Sequence, residues 1–168
     1  VVKRSTVFGL PLQQMWQYGN TGDFAPTYYL QTDAPLYYYS FTDAAIAMAY
    51  RSLAPAQQAR LDPMITGFNP ADMYAADHIR RVLTTFPGVF SGIGEFTIHK
   101  EFVSSKVAGD TASLTDPALD RIFDFAAEAG VTPPDKSRTR PYVCIKLPHS
   151  VVGPNETIVL PHTSKQVD

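Results

Sequence analysis

The sequence predicts an α/β fold built on a parallel sheet, and three observations carry that expectation. The middle of the 168-residue chain alternates short apolar, β-branched runs with longer stretches at helical spacing. Turn residues mark each change, at Asn69-Pro70, Phe86-Pro87-Gly88 and Asp116-Pro117. The resulting order of strand, helix, strand, loop and helix is the rhythm of parallel strands joined by helical crossovers.

Residues 1–42 read as loops with short strands or turns, because Gly19-Asn20, Gly22-Asp23, Pro26, Asp33 and Pro35 supply turn chemistry. Thr42 or Asp43 can cap a helix that runs through about Leu53, since "DAAIAMAYRSL" is rich in helix formers. "PAQQARL" is a further short turn that ends near Asp62-Pro63. "MITGF" is apolar and β-branched and reads as a buried strand. Asn69 and Pro70 suit the N-cap and first position of a helix to about Thr85, with Met73, Ala76, Ile79, Arg80 and Leu83 near helical spacing. "VFSGIGEFTI" is the next strand. "PALDRIFDFAAEAG" follows as a helix, with Leu119, Ile122, Phe123 and Ala126 on one stripe and Gly130 as its stop. After Val131 the rhythm breaks into "TPPDKSRTRP", followed by two short expected strands, "YVCIKL" and "ETIVL".

Composition excludes several classes. A hydrophobic fraction of 45% with 18% charged residues is that of a folded globular chain. The net charge of -2 argues against nucleic acid as a partner. No apolar run approaches the roughly 18 residues of a membrane span, so no membrane partner is expected. The opening residues show no signal-peptide pattern, although a chain that begins at Val1 is expected to lack an upstream segment. Cys144 is the single cysteine, which excludes an internal disulfide and fits a reducing compartment. The expected location is the cytoplasm. Asn155-Glu156-Thr157 matches the N-glycosylation pattern and is read as accidental.

In parallel α/β folds ligands bind at the carboxyl ends of the strands, which here means Gly67 to Asn69 and Gly94 to Glu101. Strict alternation along the second strand puts Ile93, Glu95, Thr97, His99 and Glu101 on one face, with Gly94, Phe96, Ile98 and Phe102 on the other. A carboxylate at Glu95 then needs a cation, a metal or a hydrogen-bonding partner. A salt bridge to Arg80 or Arg81 is the structural alternative, and acid–base work with Asp33 or Asp43 is a chemical one. His99 is a candidate ligand, with a solvated histidine as its alternative. Lys100 and Glu101 read as solvated charges, and His78, beside Asp77, as structural. His149 and His162 have no partner spacing. There are nine tyrosines. Those in "PTYYLQTDAPLYYYSF", including Tyr28, Tyr29, Tyr37 and Tyr38, suit a pocket wall or an interface. H-x-H, H-E-x-x-H, Gly-rich phosphate loops and G-x-S-x-G are absent.

Longer stretches carry a resemblance. "DPMITGFNPADMYAADHIRRVLTTFPGVFSGIGEFTIHKEFVSSKVAG" and "LTDPALDRIFDFAAEAG" resemble the amidohydrolase-related family of metal-dependent hydrolases. "VKRSTVFGLPLQQMWQYG" and "APLYYYSFTDAAIAMAYRSL" resemble one bacterial branch of it. The resemblance spans residues 2–131, and "GIGEF" is its most telling part. It implies a TIM-type (β/α)8 barrel, present here as a partial barrel over residues 1–131 with an irregular, non-matching C-terminal extension over 132–168. It further implies a divalent metal, zinc first, and hydrolysis of an amide, ester or lactone bond of a small molecule. Glu95 matches a position that serves the catalytic and metal site, His99 is a possible second metal ligand, and Tyr28, Tyr29, Tyr37 and Tyr38 would line the substrate mouth. The family's H-x-H strand, its next metal-binding histidine and its late aspartate have no counterpart here, and a complete barrel takes about 250 residues. The alternative expectation is a non-catalytic barrel fragment that self-associates as a homo-oligomer or pairs with another chain.

Overall fold

The computed structural model describes residues 3–15, 34–98, 101–109, 112–129 and 142–146. Three short strands come first: β1 (Ser5–Val7), β2 (Leu12–Gln14) and β3 (Leu36–Tyr38). Helix α1 (Phe41–Arg51) and the single turn α2 (Pro55–Gln58) lead to β4 (Leu61–Ile65). Then come α3 (Ala75–Thr85), β5 (Gly92–Thr97), the short α4 (Glu101–Ser104), α5 (Pro117–Ala129) and β6 (Tyr142–Lys146).

The expected parallel sheet is present, and its strand order is β1-β4-β5-β6. Ser5 pairs with Leu61, Met64 with Gly92, and Gly92 with Tyr142, all in parallel register. The expected partial (β/α)8 barrel is corrected by this topology. Four parallel strands form an open sheet, and β2 and β3 pair antiparallel with each other in a separate sheet. No barrel closes among the described residues. Closure needs about eight tilted strands whose outer edges meet, and here β1 and β6 lie at opposite edges. Of the two short strands expected in the C-terminal extension, "YVCIK" is present and joins the sheet beside β5, whereas "ETIVL" lies outside the described residues.

The core lies between the sheet and the helices. Ile65, Ile93 and Phe96 pack in one cluster with Ala47 and Tyr50 of α1, Ile79 and Val82 of α3, and Leu119, Ile122 and Phe125 of α5. Each large apolar side chain buried this way contributes about 1.5–3 kcal/mol. The helix pair α3 and α5 is fastened at its rim, where the Arg80 guanidinium lies 4.9 Å from the Phe125 ring centre and Arg121 donates to the Met73 carbonyl at 3.3 Å.

Three boundaries differ from expectation, each through local hydrogen bonding. The helix expected from Pro70 begins at Ala75. Asn69 and Asp72 each accept a backbone N–H two residues ahead, from Ala71 and Tyr74, which stabilises turns in place of a helical first turn. Strand β4 starts at Leu61 and contains Asp62-Pro63, expected as a turn end. Asp62 is buried there against Arg4 at 2.6 Å, and the Pro63 carbonyl still accepts the Ser91 N–H at 2.8 Å. Helix α1 starts at Phe41 after Ser40 and has no side-chain cap, because the Asp43 carboxylate points elsewhere. Among the described residues no helix is long and apolar enough to cross a membrane.

Candidate functional site

Asp43 lies in the first turn of α1 and is fully buried. Its Oδ1 accepts the backbone N–H groups of Thr66 at 2.8 Å and Gly67 at 3.0 Å, and its Oδ2 is 3.1 Å from the same Gly67 nitrogen. The His78 Nε2 of α3 lies 3.1 Å from Oδ2. A carboxylate oxygen accepts, so in this pair the Nε2 hydrogen of His78 is the donor. Burying a carboxylate is costly without such partners, and here backbone amides and an imidazole supply them. The close approach depends on glycine: a Cβ at Gly67 would lie 2.7 Å from Asp43 Oδ2 and 3.0 Å from the Ser40 backbone.

Thr66 and Gly67 follow the carboxyl end of β4, and Glu95 lies beside them on β5. The fully buried Thr66 donates its hydroxyl to the Glu95 carbonyl at 2.5 Å. Glu95 also sits in an irregularity of its strand. Ile93 pairs with Val143 and Phe96 with Ile145, so β5 carries one residue more than β6 between those pairs. That is the count of a β-bulge, and Gly94 within it has φ +126°, in the region that favours glycine. The bulge resets the strand's alternation. Ile93, Phe96 and Ile98 all enter one core cluster, so the expected alternation, with Ile93 on one face and Phe96 on the other, is not kept.

The other expected site residues are placed as follows. His99, Lys100, Tyr28, Tyr29, Asp33, His149, His162 and the Asn155 site lie outside the described residues. Tyr37 and Tyr38 are neighbours on β3 and point to opposite faces of it. Tyr37 is exposed and meets the Tyr39 ring edge-on at 6.2 Å, and Tyr39 in turn meets Phe41 at 5.9 Å. Tyr38 is half-buried, and burial pushes its phenol up to about 12. The two therefore do not form one wall. Arg80, considered as a partner for Glu95, bonds Asp77 at 2.9 Å. His78, read as structural, reaches across to α1 and pairs with Asp43. The sequence held a signal for its inward face, though not for its partner. Ala75, His78, Ile79 and Val82 share one face of α3 at helical spacing, and the other three are buried apolar residues.

No protein-family model, curated protein or solved structure matches the chain. The chemistry of the site therefore has to be argued from its own groups. Among the described residues no group of three or more His, Cys, Asp or Glu could hold a metal ion. Both oxygens of Asp43 are already engaged, and the one other carboxylate-bearing residue of this network among the described residues is Glu95. One carboxylate is short of the three protein ligands a catalytic zinc requires. The described donor set does not fit a resident metal, and no chemical step is derived through one. What the arrangement can do is hold one carboxylate-bearing residue in a fixed backbone conformation at the carboxyl edge of a parallel sheet.

Proposed function

We propose that the chain is an amidohydrolase-like hydrolase of a small-molecule amide, ester or lactone bond, with Glu95 as its reacting carboxylate. The observation that carries this reading is the bulge at Gly94-Glu95, beside the turn that follows β4. Bulges re-aim side chains and are common next to active sites, and the carboxyl edge of a parallel sheet is where such folds bind ligands. The resemblance of residues 2–131 to the amidohydrolase-related family supports the same reading. In it, Glu95 takes a proton from a water molecule as the water oxygen attacks the substrate carbonyl carbon. It then returns that proton to the departing nitrogen or oxygen, so the carboxylate is regenerated. The divalent metal that the resemblance implies, zinc first, through Glu95 and His99, forms no part of this step, and elemental analysis of the folded protein tests it separately. The decisive test is turnover of a panel of esters, lactones and amides by the wild type and by Glu95→Gln. Loss of a general base lowers the rate by about 100-fold or more, so the variant should be nearly inactive with an unchanged circular-dichroism spectrum. Equal rates for the two proteins would overturn the assignment.

A second reading is favoured by a different observation. Leu10, Met48, Tyr74 and Leu114 are each more than 60% exposed, and β1 is an edge strand among the described residues. Exposed apolar side chains and open sheet edges promote association. This reading is a non-catalytic chain that pairs with a second copy or with another chain.

A further inference from the structure

We propose that Thr66, with the Asp43–His78 pair behind it, is a positioning residue for Glu95, an inference that rests on the reading of Glu95 as the reacting carboxylate. A fully buried threonine could be a valine without loss of packing, unless its hydroxyl has a task. Here the hydroxyl donates to the Glu95 carbonyl at 2.5 Å, a short O–H···O bond. It does so where the β5–β6 register slips between Ile93 and Phe96. A bulge interrupts the regular ladder, so the side chain of β4's neighbour adds a restraint where the ladder is weakest.

Thr66 is itself held from behind. Its N–H donates to Asp43 Oδ1 at 2.8 Å, the next N–H donates to the same carboxylate, and His78 fixes Oδ2 at 3.1 Å. One path of hydrogen bonds thus runs from α3 through α1 and the turn after β4 to the Glu95 backbone. Every group on it is at least partly buried, where such bonds are poorly replaced by water. The path holds the backbone from which the Glu95 side chain extends. A displacement of about 1 Å at a reacting group can cost about 100-fold in rate, so a restraint of this kind acts on turnover more than on binding.

Two substitutions separate positioning from support. Thr66→Val keeps the volume and removes the hydroxyl, whereas Thr66→Ser keeps the hydroxyl and removes a methyl. The first readout is chemical and needs no substrate: labelling of Glu95 by a water-soluble carbodiimide with glycine ethyl ester, followed by peptide mass spectrometry. We expect Thr66→Val to change the Glu95 labelling rate several-fold and Thr66→Ser to match the wild type. His78→Ala should move in the direction of Thr66→Val, and His78→Gln, whose amide can still donate to Asp43, should stay near the wild type. The second readout is kinetic, on whichever ester, lactone or amide the wild type turns over. There Thr66→Val should lower kcat by up to about 100-fold with KM little changed, and Thr66→Ser should restore kcat. If Thr66→Val labels like the wild type, or if both variants change only in proportion to lost stability, the positioning role is wrong. A labelling difference in a protein that hydrolyses nothing would leave the positioning role standing and remove the hydrolase reading.

Discussion

Both oxygens of the Asp43 carboxylate are committed to protein donors, and this residue shows how much of the site rests on single hydrogen bonds. Asp43→Ala leaves the Thr66 and Gly67 N–H groups buried without their acceptor. Each such loss costs about 1–3 kcal/mol. The variant should therefore lose about 3 kcal/mol of stability, read as a lower urea midpoint at unchanged slope. Tyr38 gives a second prediction at this scale. Burial holds its phenol up at about 12 against an ordinary 10.0, so the folded protein keeps the proton that the unfolded chain releases first. The stabilising contribution is complete below pH 10, falls as pH rises past the unfolded value, and is gone once the pH passes about 12. A near-ultraviolet titration of phenolate absorbance should show a late-titrating component that loses one tyrosine in Tyr38→Phe.

At the scale of elements, α3 does two jobs from one face. Ala75, Ile79 and Val82 pack into the core, and His78 from the same stripe reaches Asp43. Ile79→Ala deletes a fully buried side chain from that face and should cost about 2–5 kcal/mol by thermal or urea unfolding. It should also loosen the His78–Asp43 contact, which faster hydrogen exchange at the Thr66 and Gly67 amides would report. Much of this element was legible in advance. The periodicity of residues 70–85 fixes a helix, and only its start was misplaced, because Asn69 and Asp72 turn their side chains onto the backbone. Strand β4 was harder to read, since a proline inside a run argues against a strand. It survives because the Pro63 carbonyl is still paired and Asp62 finds Arg4. The site was half legible: Glu95 stood out as a carboxylate after glycines, but its bulge did not. A bulge is a mismatch between two strands, and neither strand carries it alone.

For the whole molecule, the open sheet sets the main physical question, which is what covers its edges and exposed apolar residues. If association answers it, dilution on a sizing column with light scattering should show a concentration-dependent shift from dimer to monomer. Charge on the exposed apolar surface would weaken it: Leu10→Lys, at a residue 73% exposed, should favour the monomer without unfolding it. A monomer at every concentration would remove the association reading.

The sequence by itself determined the α/β class, the parallel sense of its middle strands, the helices at 41–51, 75–85 and 117–129 within a few residues, and Glu95 as the residue to question. These follow from periodicity, turn residues and local composition, which are properties of neighbouring residues. Tertiary structure alone decided that the sheet is open among the described residues, that Leu12–Gln14 and Leu36–Tyr38 pair antiparallel, and that His78 meets Asp43 across 35 residues of chain. It also decided the slip at Glu95 and the hydroxyl that holds it. Those features depend on which distant segments become neighbours, and a hydrogen bond between them leaves no periodic trace in either segment.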